Sequence, residues 1–145
     1  RRIRHKLGLH QPQDGDLQLI NDWPQLFATD RVDFTLAHRH LATHGEALRD
    51  LFLERPALDA WLLRYRASRG ENPAVVEAMN RINPKYILRN HLAQRAIEQA
   101  QAGDFLETQR LLAVLERPFD EQPEHEAYAQ LPPDWAQHLE VSCSS

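Results

Sequence analysis

One uninterrupted stretch, residues 83–105 (NPKYILRNHLAQRAIEQAQAGDF), carries signals for the start, the body and the end of a helix. Asn83 can accept hydrogen bonds from the free amides of a first helical turn. Pro84 suits the first helical position, because its missing N–H costs nothing there and its fixed φ matches the helix. Gly103 stands where a left-handed residue would end the helix. The stretch therefore predicts a helix that begins at Pro84 and ends just before Gly103.

Apolar residues recur along this predicted helix at spacings of three and four, which places them on one broad face. They are Leu88, Leu92, Ala93, Ala96, Ile97 and Ala100. The small alanines would let another helix approach closely. Asp104 can cap the helix that follows, and Glu107 three residues later completes a capping box. Together these signals predict a helical hairpin.

The rest of the chain carries further helix signals and no strand signal. Helix starts are indicated at Asp16, at Asp33 or Thr35, at Pro56, and at Asn72-Pro73. The helix that begins near Pro56 should bury Leu58, Trp61, Leu62 and Tyr65. Because no run of β-branched residues alternates with polar ones, strands should be absent or trivial. The predicted class is all-α: a compact multi-helix domain with a central helical hairpin and an irregular C-terminal tail.

Charge and hydropathy argue against several classes of protein. The net charge of −4 over 145 residues argues against a general nucleic-acid binder, which would usually be basic. No apolar run approaches the length of a membrane span, and no secretory signal opens the chain. One cysteine cannot form an internal disulfide. We therefore expect a cytoplasmic chain with neither a nucleic acid nor a membrane as its partner.

Three histidines, His38, His40 and His44, form the only candidate metal cluster in the sequence. On one helix His40 and His44 would share a face, which is a common arrangement for a zinc pair. A metal site needs further ligands and an ordered second shell, and no partnered motif supplies them. We predict no metal here. Neither a glycine-rich phosphate loop nor a nucleophile elbow is present, so no catalytic residue is assigned.

Three segments of the chain together resemble a known protein family. They are residues 83–90 (NPKYILRN) with their continuation to Phe105, residues 117–123 (RPFDEQP), and residues 131–145 (LPPDWAQHLEVSCSS). They closely resemble the C-terminal part of the selenoprotein O family, the protein adenylyltransferases built on a pseudokinase fold. Residues 6–9, 33–35 and 61–66 resemble the family more loosely.

The resemblance implies a parent enzyme that transfers AMP from ATP, with magnesium or manganese, to hydroxyl side chains of protein substrates. In that family the phosphate-binding and metal-binding groups belong to the kinase-like region, and none of them can be placed on residues 1–145. We therefore expect a single helical region over residues 1–145, roughly the last third of a longer kinase-like protein. This region would hold no catalytic, cofactor-binding or metal-binding residue, and its partner would be the upstream kinase-like domain of the same chain.

Cys143, third from the end, is the sharpest functional candidate. The resemblance places it where eukaryotic members carry selenocysteine and bacterial members carry cysteine. The implied role is redox regulation, through a bond to a cysteine near the kinase activation segment. A thiol on a mobile tail would be accessible to oxidants. An idle exposed thiol is the alternative.

Five residues of the hairpin region are interpreted as structural anchors: Asn83, Pro84, Arg89, Gly103 and Asp104. For Arg89 the argument is that a guanidinium group often ties a helix to the carbonyl groups of a loop. A function of a different class remains open, because the chain carries no active-site motif. In that interpretation the chain is a free-standing helical module for protein interactions.

Overall fold

The computed structural model of the protein describes residues 2–10, 13–30 and 32–132. All regular structure in these ranges is helical, which confirms the all-α prediction. The helices are α1 (Arg2–Lys6), α2 (Asp16–Asp30), α3 (Phe34–Leu41), α4 (Glu46–Arg49), α5 (Arg55–Arg69), α6 (Pro73–Ile82), α7 (Asn90–Gln101), α8 (Leu106–Leu115) and a 3₁₀ helix (Pro123–Ala129). None of the helices in the described ranges is long and apolar enough to cross a membrane.

The chain forms two compact units, Arg1–Pro84 and Lys85–Ser145. The first unit contains α1 to α6, and the second contains α7, α8 and the 3₁₀ helix. The expectation of one helical region within a longer kinase-like protein stays a prediction.

The core of the first unit is built around the side chain of Trp61 on α5. Its ring stacks on Trp23 of α2 at a centroid distance of 4.5 Å and on Tyr65 at 4.8 Å. Its indole N–H donates to the carbonyl of Leu19 at 3.0 Å, so the polar edge of this buried ring is satisfied. The predicted buried face of α5 is confirmed at Leu58, Trp61, Leu62 and Tyr65.

Two helices of the first unit begin with the side-chain caps that the sequence predicts. Asp33 accepts a hydrogen bond from the backbone N–H of Leu36 at 2.9 Å, which settles the choice between Asp33 and Thr35 at the start of α3. Asn72 accepts from the N–H of Ala74 at 2.9 Å, and α6 begins with a proline. These caps need only local sequence, so local sequence predicts them correctly.

The predicted start of α7 is wrong. The helix begins at Asn90, and Asn83 instead ends α6 in an extended conformation (φ −101°, ψ 106°). The side-chain amide of Asn83 donates to the carbonyl of Lys6 at 2.9 Å, so Asn83 links the end of α6 to the end of α1. Pro84 accordingly lies before a non-helical segment and not at the first position of α7.

The predicted end of α7 is confirmed. Gly103 has a φ of 91°, in the left-handed region. Its N–H donates to the carbonyl of Ala100 at 2.9 Å, and the N–H of Asp104 donates to the carbonyl of Gln99 at 2.8 Å. This pair of bonds is the Schellman arrangement, which satisfies carbonyl groups that the last helical turn leaves free.

The start of α8 matches the prediction only in part. Asp104 accepts from the N–H of Leu106 at 3.0 Å, as a capping side chain does. Glu107 does not complete a capping box: its carboxylate accepts from Arg110 at 3.2 Å and from the hydroxyl of Tyr128 at 2.8 Å. Glu107 therefore bonds to Tyr128 of the 3₁₀ helix, where the sequence predicts a bond to the backbone N–H at the start of α8.

The hairpin of α7 and α8 buries a narrower apolar face than the sequence predicts. Leu92, Ala96 and Leu111 form the buried cluster between the two helices. Leu88 lies before the helix and is 60% exposed, and Ile97 on α7 is 51% exposed. The apolar side chains of this hairpin therefore extend beyond the face that its own helices cover.

Candidate functional site

Two of the three segments that carry the family resemblance pack against each other in the second unit. The backbone N–H groups of Lys85 and Tyr86 donate to the carbonyl of Pro118, at 2.8 Å and 3.3 Å. These bonds hold the segment before α7 against the loop after α8. Helix α7 begins only after this attached segment, at Asn90.

Lys85 joins the two segments through its side chain. Its side chain is only 8% exposed, and its ammonium group donates to Glu121 at 2.7 Å and to Glu126 at 2.9 Å. Burial by itself would lower the pKa of Lys85, but the hydrogen bonds to the two glutamates outweigh it and raise the pKa above its usual value. Lys85 is therefore a structural cation at neutral pH and not a base or a nucleophile.

Tyr86 and Gln122 form a closed set of hydrogen bonds inside the same contact. The hydroxyl of Tyr86 accepts from the N–H of Gln122 at 3.0 Å and donates to its carbonyl at 3.2 Å. The side-chain amide of Gln122 donates to the carbonyls of Val114 at 3.1 Å and of Arg117 at 2.9 Å. Gln122 thereby satisfies carbonyl groups at and beyond the end of α8. The loop after α8 is therefore held by the backbone bonds to Pro118, by the ion pairs of Lys85 and by the bonds between Tyr86 and Gln122.

Removing the hydroxyl in Tyr86→Phe should destabilise the second unit by about 2 kcal/mol, because it leaves a buried N–H and a buried carbonyl without partners. Hydrogen exchange should show faster exchange at the amide of Gln122. Tyr128→Phe is the matched control: it removes a hydroxyl that bonds to Glu107 and leaves the contact of Tyr86 with Gln122 intact. Unchanged exchange at Gln122 in Tyr86→Phe would contradict the assignment.

In the first unit two buried arginines stabilise the ends of helices. Arg39 on α3 donates to the carbonyls of Asn80 at 3.0 Å and Asn83 at 2.9 Å, at the end of α6. Arg69 on α5 donates to the carbonyl of Ala42 at 2.8 Å, at the end of α3. A cation at the C-terminal end of a helix is favourable because the free carbonyl groups make that end partially negative.

Sequence reasoning selected Arg89 for this kind of link and missed Arg39 and Arg69. Arg89 is buried and stands directly before α7, with an extended backbone. Its predicted role in tying a helix to loop carbonyls stays a prediction. No local signal distinguishes Arg39 or Arg69 from a surface arginine, since their partners lie more than twenty residues away along the chain.

The three histidines of the candidate metal cluster are used in different ways. His38 is a packed ring: its Nε2 accepts from the indole N–H of Trp23, and its Nδ1 lies 2.9 Å from the carbonyl of Phe34. Because Nε2 accepts, the proton sits on Nδ1 and is donated to Phe34. Burial lowers the pKa of His38 to about 4. His38 is therefore neutral at physiological pH.

His44 does not share a helical face with His40, because α3 ends at Leu41 and His44 follows with a φ of 38°. Its ring accepts from Arg66 at 3.1 Å and lies 3.3 Å from Glu71. Within residues 2–10, 13–30 and 32–132, no group of three or more His, Cys, Asp or Glu side chains could hold a metal ion. We therefore assign no metal site to the described residues.

Asp16, at the start of α2, is a buried carboxylate whose bonding is structural. It accepts from the hydroxyl of Ser68, from the N–H of Gln13 at 3.0 Å and from Arg4 at 3.0 Å. Burial would raise the pKa of Asp16, but the three donors outweigh it and lower the pKa below its usual value. A carboxylate held ionised by three donors is a poor proton carrier, so Asp16 joins segments and is not a general acid.

The remaining predicted residues are two structural anchors, Gly103 and Asp104, and the redox candidate Cys143. Gly103 and Asp104 lie in the turn of the hairpin, away from the contact that Lys85 and Tyr86 make with the loop after α8. Cys143 lies outside the described residues. The described part of the second unit thus contains a contact between two segments, fastened by Lys85, Tyr86 and Gln122.

No family model matches the chain. Among curated proteins it is similar to the protein nucleotidyltransferase YdiU of Paraburkholderia xenovorans and to that of Burkholderia thailandensis, each 54% identical over 156 aligned positions. The protein of the same description from Burkholderia cenocepacia is 51% identical. Each match covers 100% of this chain and 30% of the relative, in the relative's C-terminal region.

Proposed function

The chain belongs to the selenoprotein O family of YdiU protein nucleotidyltransferases, and we propose that it serves as the C-terminal helical region of such an enzyme. The observation that carries the proposal is the match itself: the relatives align with the whole of this chain, which spans only 30% of their length. The role of this region is structural support for a catalytic part that lies elsewhere.

The bonding of the described residues supports a structural role. The buried polar side chains with known partners join segments of the fold: Asp16, His38, Arg39, Arg69, Lys85, Glu107 and Gln122. A catalytic group needs reach to a substrate and a pKa suited to proton transfer or nucleophilic attack. Lys85 and His38 have their charge states set by intramolecular partners or by burial instead.

The activity of the whole enzyme would be transfer of AMP from ATP to hydroxyl side chains of protein substrates, with magnesium or manganese. The names of the relatives support nucleotidyl transfer to protein. The nucleotide, the metal ion and the acceptor hydroxyl would all be bound by the kinase-like part of the enzyme. Residues 1–145 would hold that part in its folded form.

The test is incorporation of labelled AMP from ATP by the complete polypeptide that the gene encodes. We expect labelled protein hydroxyl groups with the complete polypeptide, and none with residues 1–145 alone. Substitution of the metal-binding carboxylate and amide side chains of the kinase-like part is the control, and it should abolish the label. Label that persists through those substitutions, or that residues 1–145 produce alone, would contradict the proposal.

For Cys143 we propose a redox role in the complete enzyme, through a disulfide to a cysteine of the kinase-like part. Oxidation should then make the complete polypeptide migrate faster in non-reducing electrophoresis, because a disulfide compacts the denatured chain. Cys143→Ser should abolish the shift, and Ser142→Ala should keep it. A shift that survives in Cys143→Ser would assign the disulfide to other cysteines.

A further inference from the structure

The hairpin of α7 and α8 has an apolar side that neither helix covers. We propose that this side docks against an apolar helix of the kinase-like part of the same polypeptide. The inference rests on the proposed function and adds to it the surface through which the region gives its support. It follows from the geometry of the hairpin, from the exposure of two large side chains and from the length of the relatives.

The geometry places two exposed residues on the same side of the hairpin. Leu92 and Ala96 on α7 pack against Leu111 on α8. Each residue of an α-helix is rotated about 100° from the one before it. Because the two helices of a hairpin run in opposite directions, the residues that directly follow the packed ones turn toward the same side. Ile97, which follows Ala96, and Leu112, which follows Leu111, therefore share one side of the pair.

The two large apolar side chains on this side are exposed. Ile97 is 51% exposed and Leu112 is 58% exposed. Ala93 and Ala100 precede and follow Ile97 at helical spacing, and Thr108 precedes Leu112 by four residues. We call these five residues the docking side. It carries no charged residue, and its small members let the axis of another helix come close to α7.

The opposite side of the hairpin is polar and in part contacts the chain's own 3₁₀ helix. Arg95 precedes Ala96 and Arg110 precedes Leu111, so both arginines turn away from the docking side. Tyr128 of the 3₁₀ helix lies near both of them and bonds to Glu107. The chain's own 3₁₀ helix thus contacts part of the polar side, whereas Ile97 and Leu112 on the apolar side stay exposed.

The occupant should be a helix of the same polypeptide and not a second copy of the chain. Most of the length of each relative lies outside the region that this chain matches. A tethered segment meets the docking side at a high effective concentration, whereas a second copy must find it in dilute solution. An uncharged side composed of Ala93, Ile97, Ala100, Thr108 and Leu112 fits an apolar helix face and not a charged peptide.

Thiol labelling tests the inference with two neighbouring positions. Leu112→Cys places a thiol on the docking side, and Ala113→Cys places one on the opposite side, since Ala113 precedes the buried Val114. Both positions are exposed, and Cys143→Ser removes the native thiol of this chain from the background. Maleimide labelling is followed for each peptide by mass spectrometry, in residues 1–145 alone and in the complete polypeptide.

We expect both introduced thiols to react at similar rates in residues 1–145. In the complete polypeptide the thiol from Leu112→Cys should react at least about tenfold more slowly, and the thiol from Ala113→Cys should keep its rate. Equal slowing at both positions, or none at either, would overturn the inference. Slowing at Leu112→Cys in residues 1–145 that grows with protein concentration would also overturn it, because it would assign the docking side to a second copy.

The labelling and the AMP-transfer test can fail separately. Labelling needs no ATP, so unchanged labelling in a polypeptide that transfers AMP would overturn the docking side alone. A gene whose complete polypeptide contains no kinase-like part would overturn the proposed function and the docking side together. Slow labelling at Leu112→Cys in a polypeptide without AMP transfer would support the docking side and count against the activity.

Discussion

Gly8→Ala is expected to destabilise the first unit by about 3 kcal/mol, through the sum of a strained backbone and an overpacked contact. Gly8 has a φ of 75°, which side-chain-bearing residues rarely adopt. An added Cβ would lie 2.7 Å from the sulfur of Met79 and 2.9 Å from a methyl carbon of Val75. Met79 is fully buried, so it has little room to move away.

Gly15→Ala is the matched control for Gly8→Ala. Gly15 also has a positive φ, of 89°, but an added Cβ there meets nothing within 4 Å. The control should cost about 1 kcal/mol from backbone strain alone. Urea unfolding followed by tryptophan fluorescence, in a Trp135→Phe background, reads the first unit because Trp23 and Trp61 both lie in its core. An equal decrease in the free energy of unfolding in the two variants would show that the close approach of Gly8 to Met79 contributes nothing to the cost of the substitution.

The contrast between predicted and observed helix ends shows which signals are local. The caps at Asp33 and Asn72 and the stop at Gly103 were predicted correctly, because each depends on bonds within one turn of the helix. The cap at Asn83 was wrong although its local signal is as strong as the one at Asn72. There Lys85 and Tyr86 lie in a non-helical stretch and bond to Pro118, and those bonds depend on a segment more than thirty residues away.

The same distinction applies to the candidate site. The resemblance identified the segments that contain Lys85, Tyr86 and Gln122, and the structure shows that they contact one another. Sequence reasoning could not pair them, because nothing in the pattern of either segment specifies the other. The apolar spacing on α7 likewise predicted one broad face, and only the packing with α8 separates the buried Ala96 from the exposed Ile97.

The second large effect is a dependence of stability on pH that comes from His38. Burial lowers its pKa in the folded chain to about 4 from the ordinary value of 6.5, with a contribution from the nearby charge of Lys6. Between these two values the unfolded chain binds a proton that the folded chain does not. Stability therefore decreases as the pH falls from 6.5 toward 4, by about 3 kcal/mol in total. Above pH 6.5 the contribution of His38 is complete and constant.

His38→Phe should remove this slope, because phenylalanine packs in the same aromatic cluster and binds no proton. At pH 7 the variant should be less stable by about 1 to 2 kcal/mol, since the indole N–H of Trp23 loses its acceptor. Between pH 6.5 and 4 the two stability curves should therefore converge or cross. Urea midpoints measured over this range give both curves, and His10→Phe, at an exposed position of the same unit, should keep the slope of the parent chain. Parallel curves for His38→Phe and the parent chain would contradict this prediction. They would mean that His38 binds its proton equally well in the folded and unfolded states, although in the folded state its Nε2 already accepts the hydrogen bond from Trp23.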